Sequence, residues 1–149
     1  RKIGEIRVET ILIYLYSHLA WMRNGKWLVA SHAGSKGESA GFFLFSPDTG
    51  ERRRLTTGSS LSPALSPDGR RLAYVRYADI GVGELHVSDL SDDFVPQGES
   101  RRLTTLNQAL ASPAWTSDGR EIVFSSGTHN AQRSLWRITA SPGSSPRRE

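Results

Sequence analysis

Ser62-Pro63-Ala64-Leu65-Ser66-Pro67-Asp68-Gly69-Arg70-Arg71-Leu72-Ala73 returns as Ser112-Pro113-Ala114-Trp115-Thr116-Ser117-Asp118-Gly119-Arg120-Glu121-Ile122-Val123. A degenerate copy, Ser17-His18-Leu19-Ala20-Trp21-Met22-Arg23-Asn24-Gly25-Lys26-Trp27-Leu28-Val29, precedes both. The turn glycines step from Gly25 to Gly69 to Gly119, and Arg53-Arg54-Leu55-Thr56 recurs in phase as Arg101-Arg102-Leu103-Thr104. Self-similarity at a period of about 20–50 residues marks one supersecondary unit stacked several times, none of which buries its apolar surface alone.

Within the second copy, Pro67 presets φ, Asp68 caps the local backbone and Gly69 accepts a positive φ, which predicts a tight turn. Asn24-Gly25 and Asp118-Gly119 serve the same purpose, so the recurring aspartates need no functional reading. Ser62 to Ser66 reads as a short inner strand. Arg71 to Arg76 sets Leu72 and Tyr74 against Arg71 and Ala73, the alternation of a half-buried strand. Glu84 to Leu90 and Ser100 to Thr104 complete the unit, and its neighbours repeat the plan. Four short antiparallel strands per unit predict an all-β fold: a β-propeller of about three four-stranded blades in an incomplete ring. The blades fall at 17–58, 59–106 and 107–149, the third truncated in its last strand, with 1–16 an N-terminal strand or lead-in. Complete propellers have about 4–8 blades. The missing ones are expected from the same chain or from self-association, since bare end blades expose unpaired edges.

Composition narrows the rest. The 149 residues carry a net charge of +4, 37% hydrophobic residues and no cysteine, so disulfides, thiol nucleophiles and cysteine-ligated zinc are excluded. Ile11 to Tyr16 is too short for the ~20 residues of a membrane-crossing helix. Glu5 and Glu9 argue against a signal peptide. Bacterial cytoplasm and periplasm both fit. The chain opens at Arg1 and stops inside what should be another Arg-Arg-Leu-Thr element, so a piece of a longer protein is expected.

The Ser-Pro-Asp-Gly-Arg turn followed by a hydrophobic strand, with Arg-Leu-Thr before the next unit, resembles the TolB-type, WD-repeat-like bacterial propeller family from about Ser17 onward. Leu135-Trp136-Arg137-Ile138 and Gly119-Arg120-Glu121-Ile122-Val123-Phe124 are similar to propellers that follow winged-helix DNA-binding domains in bacterial regulators. The pattern departs at residues 1 to 16 and at Met22-Arg23-Asn24, where Ser-Pro-Asp is usual.

Candidate chemistry is sparse. Gly37-Glu38-Ser39-Ala40-Gly41 matches Gly-x-Ser-x-Gly, but a nucleophile elbow needs a strand before it and a helix after it, and Phe42 to Phe45 reads as a strand. The histidines His18, His32, His86 and His129 lack metal-ligand spacing. Asp89, Asp92 and Asp93 fit no calcium loop and read as solvated. Trp115, Trp136, Trp21 and Trp27 read as core. The arginine clusters at 52–54, 70–71, 101–102 and 147–148 should line one rim of the ring. Without exposed aromatics or a groove-reading helix, direct nucleic-acid binding is not expected.

The primary expectation is a non-catalytic recognition or scaffold module, not an enzyme and without cofactor or metal. Loops on a rigid scaffold are where recognition concentrates. Those after the second strand of each blade, with the blade connections, place His32, Tyr77, Asp79, His129, Asn130 and Gln132 on one face for a protein or small ligand. The alternative is the substrate-filtering propeller of a prolyl-oligopeptidase-like or tricorn-like serine peptidase, its hydrolase lying elsewhere.

Overall fold

The computed structural model describes residues 19–32, 34, 39–79, 81–127, 133–141 and 143–149. The expected lead-in at 1–16 lies outside them. Twelve strands form three antiparallel sheets, each in simple chain order, and no helix occurs among the described residues. Blade 1 holds β1 (Leu19–Trp21), β2 (Leu28–His32), β3 (Gly41–Phe45) and β4 (Arg52–Arg54). Blade 2 holds β5 (Ser60–Leu65), β6 (Arg71–Asp79), β7 (Val82–Leu90) and β8 (Pro96–Arg102). Blade 3 holds β9 (Ala109–Trp115), β10 (Glu121–Gly127), β11 (Ser134–Thr139) and β12 (Arg147–Arg148). The all-β propeller architecture is therefore present as three four-stranded blades.

The β5–β6 turn shows how the motif works. Gly69 donates its N–H to the Ser66 carbonyl at 2.8 Å with φ at 71°. Ser66 Oγ donates to Asp68 Oδ1 at 2.5 Å, and the same oxygen accepts the Arg70 N–H at 3.0 Å. Thr116 and Asp118 repeat this arrangement at 2.6 and 3.0 Å. In blade 1 Met22 replaces the hydroxyl residue, and its buried side chain joins the core instead. The Ser-Pro element just before is a β-bulge. The ladders shift register between Leu61 and Ala64 and opposite Ala111 and Ala114, and Ser62 and Ser112 take φ values of 55° and 52°. A bulge is where a strand tolerates a proline, which has no N–H for the ladder.

The Leu-Thr element closes the third strand of blades 1 and 2. Thr56 Oγ1 accepts the Phe42 N–H at 3.0 Å and Thr104 Oγ1 accepts the Leu85 N–H at 2.9 Å, while Leu55 and Leu103 enter the core. The fourth strand of blade 2 begins earlier than its sequence suggests, at Pro96, and ends before Leu103. Gly41 opens β3 because a Cβ there would run into the Thr56 carbonyl oxygen.

One expectation is corrected at β6. Leu72, Ala73, Tyr74 and Val75 are all buried, so the strand is not half-buried. Leu72 and Tyr74 join Met22, Val29, Phe42, Leu44, Leu55 and Leu90 in a core between blades 1 and 2. Ala73 and Val75 join Leu85, Val87, Leu110, Ile122, Phe124 and Ile138 in a core between blades 2 and 3. Burying each large side chain stabilises the fold by about 1.5–3 kcal/mol. Polar staples add direction to this packing: Arg23 donates to the Asp68 carbonyl (3.1 Å), Arg53 to that of Asp93 (2.7 Å) and Arg71 to that of Gly119 (2.7 Å). Arg53 and Arg71 of the arginine clusters, with Arg23, thus hold neighbouring blades together.

Gly69→Ala should destabilise the chain by more than the ~1–2 kcal/mol of a left-handed alanine, because its Cβ would also meet Arg23 Cβ at 3.0 Å. Gly25→Ala has open space and should lose only the conformational part. Urea denaturation of both variants measures the difference, and equal losses would show that the Arg23 contact is irrelevant.

Candidate functional site

The turns that join first to second strands all emerge on one rim, together with the β7–β8 turn. Between blades 1 and 2 they enclose a cleft of about 360 Å³ lined by Arg23, Asn24, Asp68, Gly69, Arg70, Ser91, Asp92 and Phe94. Each wall is locally built. Asn24 Oδ1 accepts the Lys26 N–H at 3.0 Å. Ser91 Oγ accepts the Val95 N–H at 3.1 Å, and the Phe94 N–H donates to the Ser91 carbonyl at 2.9 Å, with Phe94 at a φ of 60°. That turn carries Phe94 inward, where it packs against the core between blades 1 and 2.

The electrostatics are mixed. The Ser66 hydroxyl, then the Arg70 N–H, hold the Asp68 carboxyl below the usual carboxylate range. Arg70 pairs with Asp92 at 3.1 Å, but both side chains are largely exposed, and such a pair contributes at most about 1 kcal/mol. It opens readily. Two guanidinium groups, two carboxylates and an aromatic ring around an open cleft can bind groups of either charge beside an apolar side chain, the chemistry of a peptide.

The six predicted turn residues occupy their turns. Of the loop-face set, His32, Tyr77 and Asp79 fall among the described residues. His32 ends β2 and is buried, its ring edge-on to Phe43 at 5.5 Å. Tyr77 and Asp79 lie on β6, because the β6–β7 ladder extends beyond the predicted strand ends. Tyr77 donates its hydroxyl to the Leu110 carbonyl at 2.7 Å, tying blade 2 to blade 3. His129, Asn130 and Gln132 lie outside the described residues. Ser39 precedes β3 rather than a helix, so the elbow geometry is missing there. The cleft is on the opposite rim from those loops. Arg23, Arg70 and Phe94 were missed by sequence reasoning. The available signal was Phe94, a large aromatic residue directly after the polar run from Ser91 to Asp93.

His86 titrates unusually. It is half-buried on β7, stacked on Tyr74 with centroids 5.8 Å apart, and its Nδ1 lies 3.2 Å from Ser100 Oγ. Burial, then Arg76 and Arg102, lower its pKa to about 4.

These are the blades of a TolB-like β-propeller. No family model matches the chain. A putative TolB from Agrobacterium tumefaciens is 25% identical with a TM-score of 0.70, covering 87% of this chain and 44% of its own. A puromycin-hydrolyzing peptidase from Mycobacterium tuberculosis is 18% identical with a TM-score of 0.69, covering 87% of this chain and 21% of its own. In sequence, the uncharacterized peptidase YuxL of Bacillus subtilis is 28% identical over 87 residues, 57% of this chain and 12% of the peptidase. The chain therefore spans a small part of the curated relative it matches. The expectation that the chain is not an enzyme is corrected by these matches: a sequence relative and a structural neighbour are both peptidases, although the likeness lies in their propeller parts. The link to winged-helix regulators finds no support.

The unfolded chain takes up a proton at His86 near pH 6.5, whereas the folded chain refuses it until about pH 4. Stability should therefore fall as pH drops through that window, and His86→Gln should flatten the decline. Denaturant midpoints at pH 7 and pH 5 test this; an unchanged slope in the variant would assign the acid loss elsewhere.

Proposed function

We propose that this chain is the recognition wall of a peptidase-type protein: a propeller that binds peptide segments non-covalently and filters their access to a hydrolase unit. The unit would be of the prolyl-oligopeptidase or tricorn kind. The observation that carries this reading is the coincidence of a peptidase sequence match with a mixed-charge cleft beside an aromatic ring. A peptide offers that cleft a carboxylate for Arg70, amide and amino donors for Asp68 and Asp92, and side chains for Phe94. A second reading has one specific observation in its favour, the 25% identity to a putative TolB. Under it the same rim docks a folded protein rather than an extended peptide.

Fluorescence anisotropy of a labelled, unstructured decapeptide with free termini separates the two. Saturable binding is expected, and Arg70→Ala should weaken it about five-fold, ~1 kcal/mol, with a further loss at high salt. Ser39→Ala should leave binding and any hydrolysis unchanged. Absence of saturable peptide binding would remove the peptidase reading.

A further inference from the structure

Two residues of the rim cleft depart from the repeat. The position two residues before the turn glycine is Pro67 in blade 2 and Ser117 in blade 3, but Arg23 in blade 1. Ser91 to Val95 carries Phe94, whereas the corresponding stretches Ser46 to Gly50 and Ser141 to Ser144 hold no aromatic residue. The β5–β6, β9–β10 and β3–β4 turns close without such side chains, so turn formation does not account for Arg23 or Phe94. Both line the same cleft between blades 1 and 2.

Unengaged donors outnumber unengaged acceptors there. Arg23 reaches across from blade 1, its Cδ 3.3 Å from where a Cβ on Gly69 would stand, and its Nη1 donates to the Asp68 carbonyl at 3.1 Å. The rest of its guanidinium makes no bond among the described residues. Arg70 gives an Nη2 proton to Asp92 in a pair exposed on both sides, which a ligand displaces at little cost. Asn24 Oδ1 accepts the Lys26 N–H, so its amide protons remain for a ligand. Asp68 Oδ1 already accepts the Ser66 hydroxyl and the Arg70 N–H. The walls thus present two guanidinium groups and a primary amide, against one unengaged oxygen each on Asp68 and Asp92.

That set suits a carboxylate, whose two oxygens guanidinium groups take in parallel N–H···O bonds. The aromatic ring narrows the choice. A chain's terminal carboxylate shares its Cα with the last side chain, so anion and apolar group arrive together. An aspartate or glutamate carries its anion at the tip of its own stem. The cleft's volume of about 360 Å³ is near the lower end of ligand sites, about 300–1,000 Å³, and fits the end of a chain. We propose that the cleft recognises the free C-terminus of a peptide: Arg23 and Arg70 grip the carboxylate from the two blades, and Phe94 receives an apolar last side chain. This rests on the peptide reading above and narrows it to one end of the chain. Asp92 occupies Arg70 until the ligand's carboxylate replaces it.

Fluorescence anisotropy compares a labelled decapeptide ending in a free-acid leucine, its C-terminal amide, and that amide with one internal glutamate. The free acid should bind about ten-fold tighter than either amide, as a charge-assisted pair implies. Arg23→Gln should cut that preference several-fold. Asp92→Asn, at a side chain 86% exposed, is a second variant on which folding should not depend, and it should enlarge the preference by removing the carboxylate that competes for Arg70. Acid and amide binding alike, or a preference indifferent to Arg23→Gln, would overturn the C-terminal assignment while leaving the peptide reading intact. Equal tightening by the internal glutamate would overturn it in favour of a side-chain carboxylate. A preference lowered by Asp92→Asn would overturn it in favour of an amino group. Failure of all three peptides to bind would remove the peptide reading itself, and this proposal with it.

Discussion

A sheet in this chain has two faces to bury, and only the sheets on either side can bury them. That requirement falls hardest on β6, where four consecutive residues must all be apolar while serving two different cores. Leu72 and Tyr74 pack toward blade 1, Ala73 and Val75 toward blade 3. The small residue at Ala73 and the large ring at Tyr74 are therefore not interchangeable, although they are neighbours in sequence. Each core borrows half of its wall from a sheet that also belongs to the other, so a packing error at one junction is transmitted through the thickness of a single sheet. Peripheral groups refine this arrangement. The arginine-to-carbonyl bonds and the Tyr77 hydroxyl fix how far each sheet turns relative to the next.

Much of this could be read from sequence because the decisive chemistry is local. A glycine with positive φ, an aspartate two residues after a hydroxyl side chain and a hydrophobic run are all specified within a few positions. Blade number and strand order follow from counting those turns. What escaped reading depended on contacts distant along the chain. The alternation on β6 looked half-buried because Ala73 is small and Arg71 polar, and nothing local says that another sheet covers Ala73. The Ser62 and Ser112 bulges were hidden because serine does not announce a left-handed conformation as glycine does. The cleft was hidden for a related reason: its walls come from turns separated by more than forty positions, Arg23 to Asp68.

The fold leaves few places for recognition. The strand faces of the two inter-blade cores are committed to packing, so binding falls to the rims, where turns meet. A scaffold of this kind accommodates both TolB proteins and peptidases, so the fold does not by itself decide the function. In this chain the described rim brings opposite charges together with an aromatic ring, and arginines that look free in the sequence answer to backbone carbonyls, as Arg23, Arg53 and Arg71 do, or to carboxylates, as Arg70 and Arg101 do.

The chain-order sheets have a consequence for synthesis. All ladders of blade 2 can close once Leu103 has been made, yet Ala73, Val75, Leu85 and Val87 stay wet until Ile122, Phe124 and Ile138 follow. At roughly 5–20 residues per second on the ribosome, that interval lasts on the order of seconds. For that time blade 2 is a finished sheet with one apolar side open to water, a brief surface set by the pace of synthesis rather than by the folded state.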